Sequence, residues 1–115
     1  MKLGFIHEER PWGWFTTIGQ GSDYKVKKIY VNPNSRFSLQ YHKGREEHWT
    51  IVSGSGLLTL EEDERKIVPG EYIFIPKKAV HRMEGGRDGI LFIEVQRGIC
   101  KENDIIRLKD DYGRG

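Results

Sequence analysis

From about residue 24 onward, short runs of alternating apolar and polar residues are broken every few positions by Gly, Pro, Asn or acidic clusters. Alternation with period 2 is the mark of a strand with one buried face. It predicts strands over 24–31, 36–42, 47–53, 57–60, 65–68, 71–75, 81–84 and 90–96. Turns fall at Asn32-Pro33-Asn34-Ser35, Lys43-Gly44-Arg45, Gly54-Ser55-Gly56, Pro69-Gly70 and Gly85-Gly86. Glu61 to Glu64 is too acidic to be buried and reads as a hairpin tip. Strands this short, punctuated this often, predict an all-β sandwich or barrel. The one helical signal is a single turn over 103–109, with Asn103 or Asp104 as its cap. Trp12, Trp14, Phe15, Trp49 and Tyr72 are expected to pack in the core or at an interface, because large rings contribute most to buried area.

Composition narrows the class. A chain of 115 residues lies in the single-domain range, so 1–115 is expected to be one domain. Residues 1–20 read as an N-terminal arm and 100–115 as a C-terminal tail. A formal net charge of +2, with the basic residues dispersed, argues against nucleic acid as a partner. No apolar stretch approaches membrane-spanning length, and Met1 to Gly13 lacks the apolar core of a signal peptide. The single cysteine, Cys100, has no partner for an internal disulfide, which suits a reducing cytoplasm.

Four residues carry the candidate chemistry. Gln40 and His42 are two apart in FSLQYH and point to one face of their strand. Glu47 opens the next strand after a short turn, and His81 follows the strand closed by Pro76. Two imidazoles, a carboxylate and an amide carbonyl can converge inside a small β-structure as ligands for a divalent ion. Zn, Mn, Co, Ni and Fe all accept such a mixed nitrogen and oxygen set. Two histidines taken alone would more simply be hydrogen-bonded strand residues, and it is the spacing that favours a site.

That spacing resembles the cupin family. Gln40-Tyr41-His42, four residues, Glu47, six residues and Gly54 follow its first motif, and Gly70, Pro76 and His81 follow its second. Gln40 replaces the usual first His, and Lys78 stands where a Gly is usual. The Gln disfavours a three-histidine iron site of the dioxygenase kind and is similar to the Gln-His-Glu-His zinc site of phosphomannose isomerases. SLQYHKGREEHWTIVSG (Ser38 to Gly54) further resembles the signature of type II phosphomannose isomerases. The likeness extends in order through RPWG (Arg10 to Gly13), YKVK (Tyr24 to Lys27), IPKKAVHR (Ile75 to Arg82), IEVQRG (Ile93 to Gly98) and DIIRLKDDYGR (Asp104 to Arg114). It implies a single-domain cupin, a jelly-roll β-barrel or sandwich, corresponding to the C-terminal part of a bifunctional guanylyltransferase/isomerase. Nothing in this length leaves room for the guanylyltransferase.

The resemblance implies a metal-dependent interconversion of mannose 6-phosphate and fructose 6-phosphate, with Zn held by Gln40, His42, Glu47 and His81. Arg45, at the rim of the site, matches an arginine implicated in catalysis. A proton must move between C1 and C2, and Glu94 is preferred to His48 as base, since alternation turns His48 away from Glu47. Arg10, Lys25, Lys27, Arg107 and Arg114 fall in the matching blocks, and Lys77 and Lys78 precede His81. All suit an anionic sugar phosphate. Open strand edges and the family habit imply a homodimer. The alternative is a non-catalytic metal-binding cupin that holds a sugar phosphate or nucleotide sugar.

Overall fold

The computed structural model describes residues 5–113. Its strands are β1 (Ile6–Arg10), β2 (Gly13–Gln20), β3 (Tyr24–Val31), β4 (Leu39–Tyr41), β5 (Arg45–Leu60), β6 (Asp63–Ile67), β7 (Tyr72–Ile75), β8 (His81–Gly98) and β9 (Ile106–Lys109). All pair antiparallel in one sheet, in the order β1-β2-β3-β8-β4-β9, with β5 pairing β6, β7 and β8. The sheet curls into a half-barrel, a single all-β domain of the cupin type. Among the described residues there is no helix.

Two long strands organise the curl. β5 and β8 pair from Arg45↔Gly98 to Leu60↔His81, with register shifts at Ile51/Ser53 and Gly54/Gly56. Gly54-Ser55-Gly56 and Gly85-Gly86 were expected to be turns. Instead they lie within strands and let the pair bend. Gly54 sits at φ +84°, and a Cβ there would lie 2.1 Å from the Gly89 carbonyl oxygen, so only glycine allows this close approach. On the inner face, Lys27, Glu94 and Trp49 form one cross-strand row and Lys25, Gln96 and Glu47 the next. Opposite them, His81, Gln40 and Arg107 form a row across β8, β4 and β9. Beyond these rows, Phe37, Ile51, Ile75, Met83 and Phe92 continue the buried apolar core.

Several expectations are corrected. The helical turn over 103–109 is absent, because β9 adds to the open edge of β4 and tertiary pairing outweighs local capping signals. The strand expected over 36–42 shortens to β4, with one bridge between Arg36 and Glu84. The acidic hairpin turns at Glu61-Glu62, and Asp63 already belongs to β6. Residues 6–20 form the hairpin β1-β2, which extends the sheet beside β3. Of the rings expected in the core or at an interface, Trp12, Phe15 and Trp49 lie in the core as expected, and Tyr72 lies exposed on the outer face of the single chain.

Candidate metal centre and its cavity

Alternation in β5 turns Arg45, Glu47 and Trp49 inward and His48 outward, where it meets Glu46 and Tyr72. His42 follows β4, and His81 begins β8 as the cross-strand partner of Gln40. One ligating atom each from His42, Glu47 and His81 lies within 4.8 Å of the others, and all three residues are buried. His42 Nε2 is 3.3 Å from Glu47 Oε2, and His81 Nε2 is 3.7 Å from Glu47 Oε1.

Both imidazoles are aimed by their other nitrogen. His42 Nδ1–H donates to the Asp104 carbonyl at 2.6 Å, and His81 Nδ1–H donates to the Ala79 carbonyl at 2.9 Å. A carbonyl only accepts, so each ring presents an unprotonated Nε2 to the centre. Burial is the main cause that holds both pKa values down to about 4. His81 Nε2 is buried with no hydrogen-bond partner among the described residues. An orphaned lone pair beside a buried carboxylate and a second imidazole fits a divalent cation of borderline softness.

Gln40 lies next to this triad. Its amide N–H approaches His42 Nε2 at 3.3 Å, while its carbonyl accepts the Ser38 hydroxyl at 2.6 Å. Rotating the terminal amide by half a turn would direct the oxygen at the centre instead. Arg45 was expected in a turn at the rim, but as the first residue of β5 it is buried. Its Nε–H donates to Glu47 Oε2 at 2.9 Å, Nη2–H approaches His42 Nε2 at 3.2 Å, and Nη1–H reaches the Lys101 carbonyl at 3.3 Å. Burial opposes its charge, but Glu47 and Glu94 outweigh that and raise its pKa.

The triad opens on a cavity of about 150 Å³. Glu94 reaches into it from β8, only 4% exposed. Desolvation, reinforced by the Glu47 charge, raises its carboxyl to about 7. The Trp49 indole N–H bridges the two carboxylates, 3.1 Å from Glu47 Oε1 and 3.2 Å from Glu94 Oε1. Gln96 Nε2–H donates to Glu94 Oε2 at 2.7 Å.

The other predicted residues divide. Arg10, Lys27 and Arg107 line the cavity. Lys25 stands beside it, bound to Glu102. Lys78 is exposed and, like Lys77, does not line the cavity, because its loop turns it outward at φ +69°. Arg114 lies outside the described residues. Sequence reasoning missed Gln96, Glu102 and Asp104. Gln96 was accessible by alternation from Glu94, as was the inward course of Trp49 from Glu47. Asp104 carried no such signal, yet its carboxylate accepts the Lys43 and Gly44 amides at 3.0 and 2.8 Å and so fixes the turn between His42 and Arg45.

Comparison with known proteins follows the same lines. Residues 5–110 match the family described as mannose-6-phosphate isomerase C-terminal. The chain belongs to that family. Its fold is that of the C-terminal isomerase domain of bifunctional mannose-1-phosphate guanylyltransferase/isomerase enzymes. The mannose-1-phosphate guanylyltransferase of Escherichia coli is 39% identical over 113 residues, covering 95% of this chain and 24% of the relative. The alginate biosynthesis protein AlgA of Pseudomonas aeruginosa is 40% identical over 107 residues, with 91% and 22% covered. The chain thus spans about a quarter of the length of these relatives. Among solved structures, Streptomyces PAC13 superposes with a TM-score of 0.80 at 15% identity, covering 92% of this chain and 86% of that one. KdgF from Halomonas sp. gives 0.75 at 14% identity, with 86% and 90% covered. At these identities the structural likeness shows the fold alone.

Proposed function

We propose that this domain is a metal-dependent mannose-6-phosphate isomerase, interconverting mannose 6-phosphate and fructose 6-phosphate. The observation that carries the proposal is the buried His42, Glu47, His81 triad at the wall of a cavity shared with cations and a second carboxylate, in a chain of this family. His42, Glu47 and His81 would hold the ion, with Gln40 as a fourth ligand after rotation of its amide, and zinc is the first choice. A bound ion supplies Lewis-acid polarisation of the sugar oxygens at C1 and C2.

The remaining roles belong to the chain's own side chains. Glu94, whose carboxyl is raised to about 7, is poised to take and return a proton at neutral pH, which is the requirement for moving one between C1 and C2. Trp49 and Gln96 each direct one oxygen of that carboxylate, so its orientation is set before substrate arrives. Arg45 holds Glu47 and the His42 edge in register and places a permanent positive charge at the inner end of the cavity. Phe15, Phe92 and Trp12 wall the cavity with apolar surface and limit water. A cytoplasmic homodimer is the accompanying proposal for its setting.

The test is turnover of mannose 6-phosphate to fructose 6-phosphate by chelator-stripped protein, before and after Zn, Mn, Co or Ni is restored. Activity that vanishes on stripping and returns with metal supports the isomerase. Bound metal without turnover under any ion favours the non-catalytic module that holds a sugar phosphate or nucleotide sugar.

A further inference from the structure

Lys27 is an unusual residue for the inner face of a β-barrel. It is 5% exposed, in the cross-strand row with Glu94 and Trp49, and its Nζ lies 4.0 Å from the centroid of the Phe15 ring. A buried ammonium needs an anion beside it. The anion here is Glu102, from the irregular segment between β8 and β9. Its Oε1 accepts from Lys27 Nζ at 2.8 Å, and its Oε2 accepts from Lys25 Nζ at 2.8 Å and from Lys27 at 3.1 Å. Burial acts to raise the Glu102 carboxyl, but the two lysines outweigh it and hold it down to about 2.

The partners are unequal in exposure. Lys27 is held in the middle of β3, with its side chain only 6% exposed, whereas the Glu102 side chain is 50% exposed. Half exposed on an irregular segment, the Glu102 carboxylate can give way to another anion that keeps both lysines paired. Displacement would leave two ammonium groups without their anion, Lys27 lining the cavity and Lys25 beside it. Arg107 lines the same cavity, and its Nε is buried with no hydrogen-bond partner among the described residues. The other lining cations are engaged, Arg45 by Glu47 and Arg10 by Glu8. A phosphate monoester carries nearly two negative charges and three acceptor oxygens against one charge and two oxygens for a carboxylate, so it is the stronger occupant of that seat.

We propose that Lys25 and Lys27 form the seat for the phosphoryl group of a sugar monophosphate, which Glu102 fills in the free domain and vacates when the ligand binds. The proposal rests on the isomerase reading for its ligand class, and it makes Glu102 a competitor of the substrate. Inorganic phosphate is the probe, titrated at constant ionic strength into the 15N-labelled chain and followed by amide chemical shifts. Glu102→Gln should tighten phosphate binding about tenfold, equivalent to about 1.4 kcal/mol. Lys27→Met should abolish saturable binding in both the parent and the Glu102→Gln background. If Lys27→Met does not fold, Lys25→Met, at a more exposed position, should remove most of the Glu102→Gln gain. Unchanged or weaker phosphate binding by a folded Glu102→Gln protein overturns the proposal. Tighter phosphate binding without turnover of mannose 6-phosphate by any form keeps the seat and removes the isomerase. Turnover by the parent with a raised KM in Glu102→Gln does the reverse.

Discussion

Trp49→Phe tests whether the indole N–H, and not only the indole ring, organises the site. The ring is 1% exposed and packs on Phe92 at 4.6 Å between centroids. Phenylalanine keeps much of that contact but removes the proton shared by Glu47 Oε1 and Glu94 Oε1. A hydrogen bond to a buried charged group is worth about 1.5–3 kcal/mol. The smaller ring leaves a void costing about another 1–2 kcal/mol. Together they predict a loss of about 2.5–5 kcal/mol in urea unfolding of the metal-free protein. Glu94 also loses a donor to its charged form, so its titration should move up from about 7, by about 0.5–1 unit if half the bond acted on it. Carbon-detected NMR of the glutamate carboxyls reads that shift directly. Phe92→Leu is the control, since it thins the same contact without touching a hydrogen bond. Equal destabilisation by the two variants, with the Glu94 titration unmoved in both, would refute the bridging role.

Three further outcomes follow from the geometry. His81→Ala should reduce metal affinity by more than the loss of a residue supporting a ligand does, about 10- to 100-fold, read as lost metal after dialysis by elemental analysis; parent-like stoichiometry would remove His81 from the ligand set. The metal-free protein should lose stability on acidification. His42 and His81 fall from 6.5 in the unfolded chain to about 4 in the fold, so their contribution is full above 6.5 and lost as pH falls through 4. Glu94 rises from 4.5 to about 7 and contributes in the opposite sense over that window, but two groups outweigh one, and Tm should drop between pH 6.5 and 4.5. A flat or rising Tm there contradicts the buried neutral imidazoles. Lys78→Gly should stabilise by about 0.5–1 kcal/mol, because Lys78 holds a left-handed φ of +69° while its amide donates to the His42 carbonyl at 2.7 Å. A lower Tm in that variant would show that the lysine side chain contributes more than the strain removes.

The boundaries of β3 and the inward set Arg45, Glu47 and Trp49 on β5 follow a short period, whereas the grouping of His81 with His42 and Glu47 was legible only through the likeness of the motif spacing to the cupin family. Two residues on one strand face, or one residue after a turn, can be placed by alternation alone. The same logic failed at Gly54-Ser55-Gly56 and Gly85-Gly86, where glycine signals a turn locally but serves as a bend within paired strands. It failed again at β9, whose extended form comes from the β4 edge and not from its own residues.

The order of apolar and polar positions by itself determined an all-β chain, the inward set on each strand and the identity of the chemical groups, since these are properties of neighbouring residues. Which inward residues meet was decided by the curl of the sheet. Only closure sets the Lys27, Glu94, Trp49 row against the His81, Gln40, Arg107 row, buries Arg45 against Glu47, and brings Glu102 and Asp104 back over residues about 60 to 77 positions earlier. Contacts at that separation depend on register, bulge position and the course of the returning tail, and no local pattern encodes them.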